Sequence, residues 1–226
     1  MTVRTALVTG ANRGLGRAVA SCLRKRGYRV VVAARDVGEA GAVAAELGVG
    51  VTPAALDVTD PRAVARLAAD LSVVDIVVNN AGVLETSGAS PASVDLSMVE
   101  HEIRVNTLGS WRVAQAFLPG MVARRWGRVV MVSSGTSTFT HGLFGGTPGY
   151  TVSKVGLNAV TALLAAETAG TGVLVNAVNP GLVRTRMRPD AERLPEEAAE
   201  DIAWVATAPN GSPSGVLFSR RKIIGW

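Results

Sequence analysis

The sequence predicts an α/β protein built on one doubly wound, mostly parallel sheet of seven strands with helices on both faces. Three observations predict it. Short apolar runs alternate with stretches of helical period along the whole chain. The runs are apolar at successive positions, as in strands covered on both faces. The 226 residues contain no linker, repeat or low-complexity tract, so residues 1–226 read as a single domain. A chain of that length buries about 70–75% of its unfolded surface.

The elements follow in order. Val3–Thr9 is a β-branched run that ends in glycine. Leu15, Ala18, Val19, Cys22 and Leu23 then recur at helical spacing, and Gly27 stops that helix. Tyr28–Ala34 is the second strand, Val37–Leu47 an Ala-rich helix and Val49–Leu56 the third strand. Asp60 and Pro61 are placed to cap and open a helix over Pro61–Leu71. Val73–Val78 is the fourth strand, Ser97 to Arg125 one long helical stretch and Arg128–Val132 the fifth strand. Tyr150–Thr168 is helical, Gly172–Val178 is the sixth strand, Pro195–Val205 is helical, and Gly215–Phe218 is the seventh strand. Thr136–Gly149 and Arg184–Pro195 read as loops.

Composition excludes several functions. Aromatics are 4% of a chain that is 48% hydrophobic, so the core is made of Val, Ala and Leu. The single cysteine, Cys22, rules out a disulfide framework or a zinc cluster, and no metal site is expected. The net charge is +5, but the basic groups (Arg24-Lys25-Arg26, Arg124-Arg125, Arg220-Arg221-Lys222) are scattered and not interleaved with aromatics. A nucleic-acid partner is therefore not expected. No apolar run approaches the ~20 residues of a membrane span. A strand pattern begins at once, leaving no room for a leader, so the expected protein is soluble and cytoplasmic.

The 25 glycines point to a ligand. The first strand runs into Thr9-Gly10-Ala11-Asn12-Arg13-Gly14-Leu15-Gly16 and then into a helix. Glycines there let the backbone approach a pyrophosphate, and the helix start attracts its charge. The second strand ends in Ala34-Arg35-Asp36. An acidic residue at the strand end suits a ribose hydroxyl, whereas a guanidinium suits a 2′-phosphate. Arg35, with Arg13 on the same side, favours NADP(H), while Asp36 remains open to the ribose.

These residues resemble the short-chain dehydrogenase/reductase family of NAD(P)-dependent oxidoreductases. The resemblance covers nearly the whole chain and implies a Rossmann-type sheet. It implies cofactor contacts from Gly10, Asn12, Arg13, Gly14, Leu15 and Gly16, from Arg35, and from Asp57-Val58 beside adenine. Asn80, Ala81 and Gly82, within Asn79-Asn80-Ala81-Gly82, complete the implied cofactor side. Pro180, Gly181, Val183 and Thr185, within Asn179-Pro180-Gly181-Leu182-Val183-Arg184-Thr185, resemble the segment that closes over nicotinamide. Asn106 matches the family's helix asparagine and is implied to hold a water linking Lys154 to solvent. Ser133-Ser134 ends the fifth strand, and Tyr150-Thr151-Val152-Ser153-Lys154 is similar to the family's Tyr-x-x-x-Lys. The tail Gly215–Trp226 resembles that of carbonyl-reductase-like members.

The chemistry is consistent with these residue types. Carbonyl reduction needs a hydride, a proton donor and a group to hold the developing oxyanion. Tyr150 is the proton donor. Lys154, one helical turn on, favours the phenolate and lowers its pKa, and by resemblance also holds the nicotinamide ribose. Ser134 holds the substrate oxygen, with Ser133 and Ser137 as alternatives. Ser134 lies sixteen residues before Tyr150, and the longer loop makes His141, Leu143 and Phe144 candidate substrate contacts. His101 reads as helix surface. The short segment from Thr185 to Trp204 suggests an open cleft.

The expected function is NADPH-dependent reduction of a ketone or aldehyde on a small, fairly apolar substrate. The same residues serve an NADP+-dependent alcohol dehydrogenase running in the oxidative direction. A protein that senses NADP(H) without turnover keeps the same fold. A homodimer or homotetramer is implied by the family.

Overall fold

The computed structural model describes residues 3–226, apart from the side chain of His141. Eight strands form one sheet in the order β3-β2-β1-β4-β5-β6-β7-β8. They are β1 (Thr5–Thr9), β2 (Arg29–Ala34), β3 (Val51–Ala55), β4 (Ile76–Asn79), β5 (Gly127–Val132), β6 (Val173–Asn179), β7 (Leu217–Ser219) and β8 (Lys222–Ile224). All neighbours are parallel except β7 and β8. The helices are α1 (Gly14–Lys25), α2 (Val37–Leu47), α3 (Pro61–Asp70), α4 (Leu96–Glu102), α5 (Ser110–Ala123), α6 (Pro148–Glu167) and α7 (Pro195–Ala206).

Alternate residues of each strand serve two cores. Leu7 of β1 faces a layer with Val64 and Leu67 of α3, Val113, Phe117 and Met121 of α5, and Leu157, Val160 and Leu164 of α6. Its neighbours Ala6 and Val8 face the other layer, with Val19 and Leu23 of α1, Ala40 and Val43 of α2, and Ile202 of α7. Both layers are largely Val, Ala and Leu, and successive strand residues are buried because each face is covered.

The predicted fold class holds, with five local corrections. The sheet has eight strands, because β7 turns back into antiparallel β8. That turn is made by Arg220 and Arg221, both at positive φ (47° and 64°) without a glycine or asparagine, so the sequence carries none of the usual hairpin signal. The first strand starts at Thr5, with Val3 exposed. The third starts at Val51, after Gly50 turns the chain at φ 87°, leaving Val49 outside. The fourth is displaced to Ile76–Asn79. The long helix is not continuous: a wider π turn over Ile103–Gly109 separates α4 from α5. Within it Gly109 lies so close to Val58 that a Cβ would sit 2.7 Å from a Val58 methyl.

Arg128 of β5 is buried at the end of the sheet opposite the strands' carboxyl ends. Its guanidinium donates to the carbonyls of Ala208 (2.7 Å), Gly127 (2.7 Å) and Gly172 (3.1 Å) and to Asn210 Oδ1 (2.8 Å). It also stacks 4.3 Å from the Trp126 ring centroid, with Arg4 3.6 Å from the same centroid. Arg128→Met leaves those acceptors without a donor. It should lower stability by about 3 kcal/mol, seen as a lower denaturant midpoint at unchanged slope.

Candidate active site

The strand order reverses between β1 and β4, and a crevice opens there at the carboxyl ends of the strands. The two strand ends are stitched together. Thr9 Oγ1 accepts the N–H groups of Asn80 (3.1 Å) and Ala81 (3.0 Å), and the Asn80 amide donates to the carbonyls of Thr9 (2.9 Å) and Gly10 (3.1 Å). Gly10 (φ 63°) and Gly14 (φ 51°) adopt left-handed conformations, and a Cβ on Gly16 would overlap the Gly10 carbonyl. Helix α1 receives no side-chain cap from Arg13, so its first N–H groups are left for a ligand.

This turn opens a cleft of about 1020 Å³. Gly10, Asn12, Arg13, Gly14, Leu15 and Gly16 line one end, with Arg35, Asp57 and Val58. Asn80, Ala81, Gly82, Pro180, Gly181, Val183 and Thr185 line its middle, and Ser134, Tyr150 and Lys154 the other end. The Asp36 carboxylate, open to the ribose in the sequence, is taken up as the α2 cap, accepting the Gly38 (2.7 Å) and Glu39 (3.1 Å) N–H groups. Asn12 is bonded to Glu39. Among the described residues no ion pair engages Arg13 or Arg35. Hydrogen bonds from Thr59 to Asp57 Oδ1 hold its carboxyl below the usual range, helped by the nearby Arg35 charge.

Tyr150 lies in the first turn of α6, and Lys154 follows one turn later. Burial pushes the Tyr150 phenol up to about 12, with a hydrogen bond from the Ser134 side chain pulling it back and the Glu102 charge adding to the rise. Burial lowers the Lys154 ammonium to about 8. Lys154 Nζ donates to the Val132 carbonyl at 2.7 Å and stands 5.4 Å from the Tyr150 ring centroid. The lowering of the phenol by Lys154 expected from the sequence is therefore not seen: desolvation is the larger effect, and the ammonium is turned to the end of β5. The neighbouring serines differ in kind. Ser133 Oγ donates to Asn158 (2.6 Å), and Ser137, fully buried, donates to the Ser134 carbonyl (2.7 Å). Ser134 is the one beside the phenol.

Asn106, in the π turn, does not line the cleft. Its amide donates to the Val83 carbonyl (2.9 Å) and Ser153 Oγ (3.0 Å) and accepts the Val83 N–H (2.8 Å), so both amide protons are used within the protein. On the substrate side Phe144 lines the cleft, but Leu143 does not and points to solvent, a correction that follows from the turn at Gly142 (φ 81°). The side chain of His141 lies outside the described residues. His101, read as helix surface, instead lines the cleft, with its Nδ1 2.8 Å from Glu85 Oε1. Leu84, Leu182, Met187, Arg186 and Arg188 also line the cleft. Among the described residues no cluster fits a metal ion and no helix is long and apolar enough to cross a membrane.

The cleft has the parts that a nicotinamide dinucleotide requires: an uncapped helix start behind close-approach glycines, free arginines at the β2 end, and a buried lysine at the far end. The protein-family comparison agrees: the short chain dehydrogenase model matches residues 4–195. The 3-oxoacyl-[acyl-carrier-protein] reductase FabG of Escherichia coli K12 is 34% identical over 192 residues, covering 81% of this chain and 75% of the relative. The oxidoreductase UcpA of the same strain is 35% identical over 218 residues, covering 92% and 81%. A 3-oxoacyl-[acyl-carrier protein] reductase from Brucella melitensis, solved with bound NAD, superposes with a TM-score of 0.86 at 28% identity, covering 96% of this chain and 89% of the other. The chain belongs to the short-chain dehydrogenase family and is an oxidoreductase of that family. Nicotinamide dinucleotides are the family's cofactors.

Lys154 gives a pH signature. Its ammonium is easier to deprotonate folded than unfolded, so between about pH 8 and 10 the unfolded chain binds the extra proton and stability rises with pH. Tyr150 acts in the opposite sense, but only above pH 10, where the unfolded phenol ionises and the folded one does not. The denaturation midpoint should climb from pH 8 to 9 in the parent but not in Lys154→Met; above pH 9 the Cys22 thiol, pushed up to about 11 by burial, acts in the opposite sense in both.

Proposed function

We propose that the protein is an NADPH-dependent reductase that converts a ketone or aldehyde on a small, fairly apolar substrate to the alcohol. The observation that carries this reading is the Tyr150 phenol beside Ser134, in the cleft that opens at the glycine turn. When bound, the reduced cofactor supplies the hydride. Ser134 donates a hydrogen bond to the substrate oxygen, and Tyr150 delivers its proton as that oxygen gains charge. Lys154 holds a positive charge behind the phenolate left over and is the residue to hold the nicotinamide ribose. Arg13 and Arg35 hold a 2′-phosphate, Asp57 and Val58 flank adenine, and Gly82, Pro180, Gly181, Val183 and Thr185 enclose the nicotinamide.

The raised phenol favours this direction. A group that stays protonated through neutral pH is ready to donate, and an alkoxide is a much stronger base than the phenolate it leaves. Alcohol oxidation needs the phenolate first, and burial opposes its formation. The names of the FabG relatives make 3-oxoacyl compounds the first substrates to try. Phe144, Leu182 and Met187, exposed along the cleft, suit an apolar chain. The reading includes a cytoplasmic homodimer or homotetramer, supported by Val152 and Leu163 of α6, which stand exposed on the surface.

NADPH oxidation with a panel of carbonyl compounds tests the reaction. Tyr150→Phe should lower kcat by at least about 100-fold, the scale of general acid catalysis, with NADPH affinity retained. Full activity in that variant would remove the proposed acid. Arg35→Ala should weaken NADPH much more than NADH and narrow the gap between them. Equal binding of the two by the parent would overturn the cofactor assignment.

A further inference from the structure

One buried ionisable group takes no part in the reaction outlined above. Glu102, the last residue of α4, is fully buried. Its Oε1 accepts the N–H groups of Glu85 (2.6 Å) and Thr86 (3.1 Å), and its Oε2 accepts the Thr86 hydroxyl (3.0 Å). With its hydroxyl hydrogen engaged by Glu102, the Thr86 oxygen is free to accept, and it takes the backbone N–H of Tyr150 at 3.3 Å.

The placement of that last bond is informative. Helix α6 gets no side-chain cap from its own N-cap residue, Thr147. Pro148 has no N–H, and Tyr150 is the third residue of the helix, where a backbone N–H has no partner within the helix. Thr86 therefore caps α6 from another part of the chain, oriented by Glu102. The carboxylate also stands at the helix end where negative charge is favoured. Gly149 is the close-approach point: a Cβ there would overlap Glu102 Oε2. A carboxylate serving only to fix a local turn would need no link to the helix of the reacting phenol.

We propose that Glu102 is a positioning residue, acting through the Thr86 hydroxyl to fix the first turn of α6 and thus the Tyr150 phenol against Ser134. The proposal rests on the carbonyl-reductase reading above for its kinetic consequence, and on geometry alone for its structural one. Thr86→Val keeps the volume and removes the hydroxyl. Thr86→Ser keeps the hydroxyl. Glu102→Gln keeps an acceptor for the two backbone N–H groups but sets an amide N–H against Thr86, reversing the direction of the link.

The test uses the full chain, with NADPH and ethyl acetoacetate as a 3-oxo ester probe. The sequence has only two tyrosines, so labelling tyrosine Cζ with carbon-13 gives two resonances, of which Tyr28→Phe assigns one. Thr86→Val and Glu102→Gln should lower kcat by about tenfold or more, with KM and NADPH affinity within about twofold. Both should move the Tyr150 resonance, and Thr86→Ser should restore both readouts. If Thr86→Val does not fold, Glu102→Gln carries the comparison. Absence of NADPH oxidation by the parent would count against the functional reading alone, because the resonance still reports the positioning. An unmoved Tyr150 resonance, or Thr86→Ser as damaging as Thr86→Val, would overturn the proposal.

Discussion

The stitch between the ends of β1 and β4 is the constraint on which the rest of the site depends. A parallel sheet whose strand order reverses must leave a gap between the outgoing connections, and that gap is useful only if its floor is rigid. Thr9 and Asn80 make it so, because each side chain bonds the other strand's backbone. The Asn80 amide faces the glycine turn and takes up the Thr9 and Gly10 carbonyls. The glycines supply the close approach, but the asparagine fixes which face they present.

At the opposite end burial does the chemical work. Tyr150 and Lys154 are both displaced toward their neutral forms, the phenol upward and the ammonium downward. Neither shift helps the fold at neutral pH: a buried ammonium lowers stability until it loses its proton. The sheet tolerates it because the Val132 carbonyl, at the end of β5, accepts one of its protons. In the proposed reaction the same placement keeps Lys154 near the phenol, where its charge matters most once Tyr150 has given up its proton. The site is thus less stable than an apolar one of the same shape, as expected where chemistry sets the requirement.

How much of this was legible in the sequence depended on how local each cause was. The glycine turn was legible because backbone conformation at Gly10 and close contact at Gly16 admit no other residue, and both effects lie within a few positions. Asp36 was ambiguous because a carboxylate just before a helix serves a ribose or a cap equally well; only the α2 N–H groups decide for the cap. The β7–β8 hairpin was hidden by Arg220 and Arg221, which reach positive φ without the residues that usually announce it. Leu143 and His101 exchanged expectations because their directions are set by a loop turn and by helix packing. Glu102 was silent for the same reason: nothing in a helical Glu tells whether it will be solvated or enclosed.

The segment from Pro180 to Arg193 beside the cleft shows how a short stretch can be both fixed and adaptable. Its base is tied down: Arg193 donates to the Pro180 carbonyl (2.6 Å) and to Asp201 (2.5 Å), which also holds Arg221 beyond β7, and Arg184 reaches the Ala191 carbonyl (2.9 Å). Leu182 and Met187 of the same segment are exposed and line the cleft, as Phe144 does. Apolar side chains left against water at the mouth of a cleft lose free energy that a substrate's own apolar surface would return on binding. The anchoring charges lie behind these residues, so a change of substrate length alters their contacts without disturbing the bonds that hold Pro180 and Gly181 against the cofactor side. Under the proposed function, selectivity for the apolar part of a substrate and retention of the cofactor are therefore separable in this chain.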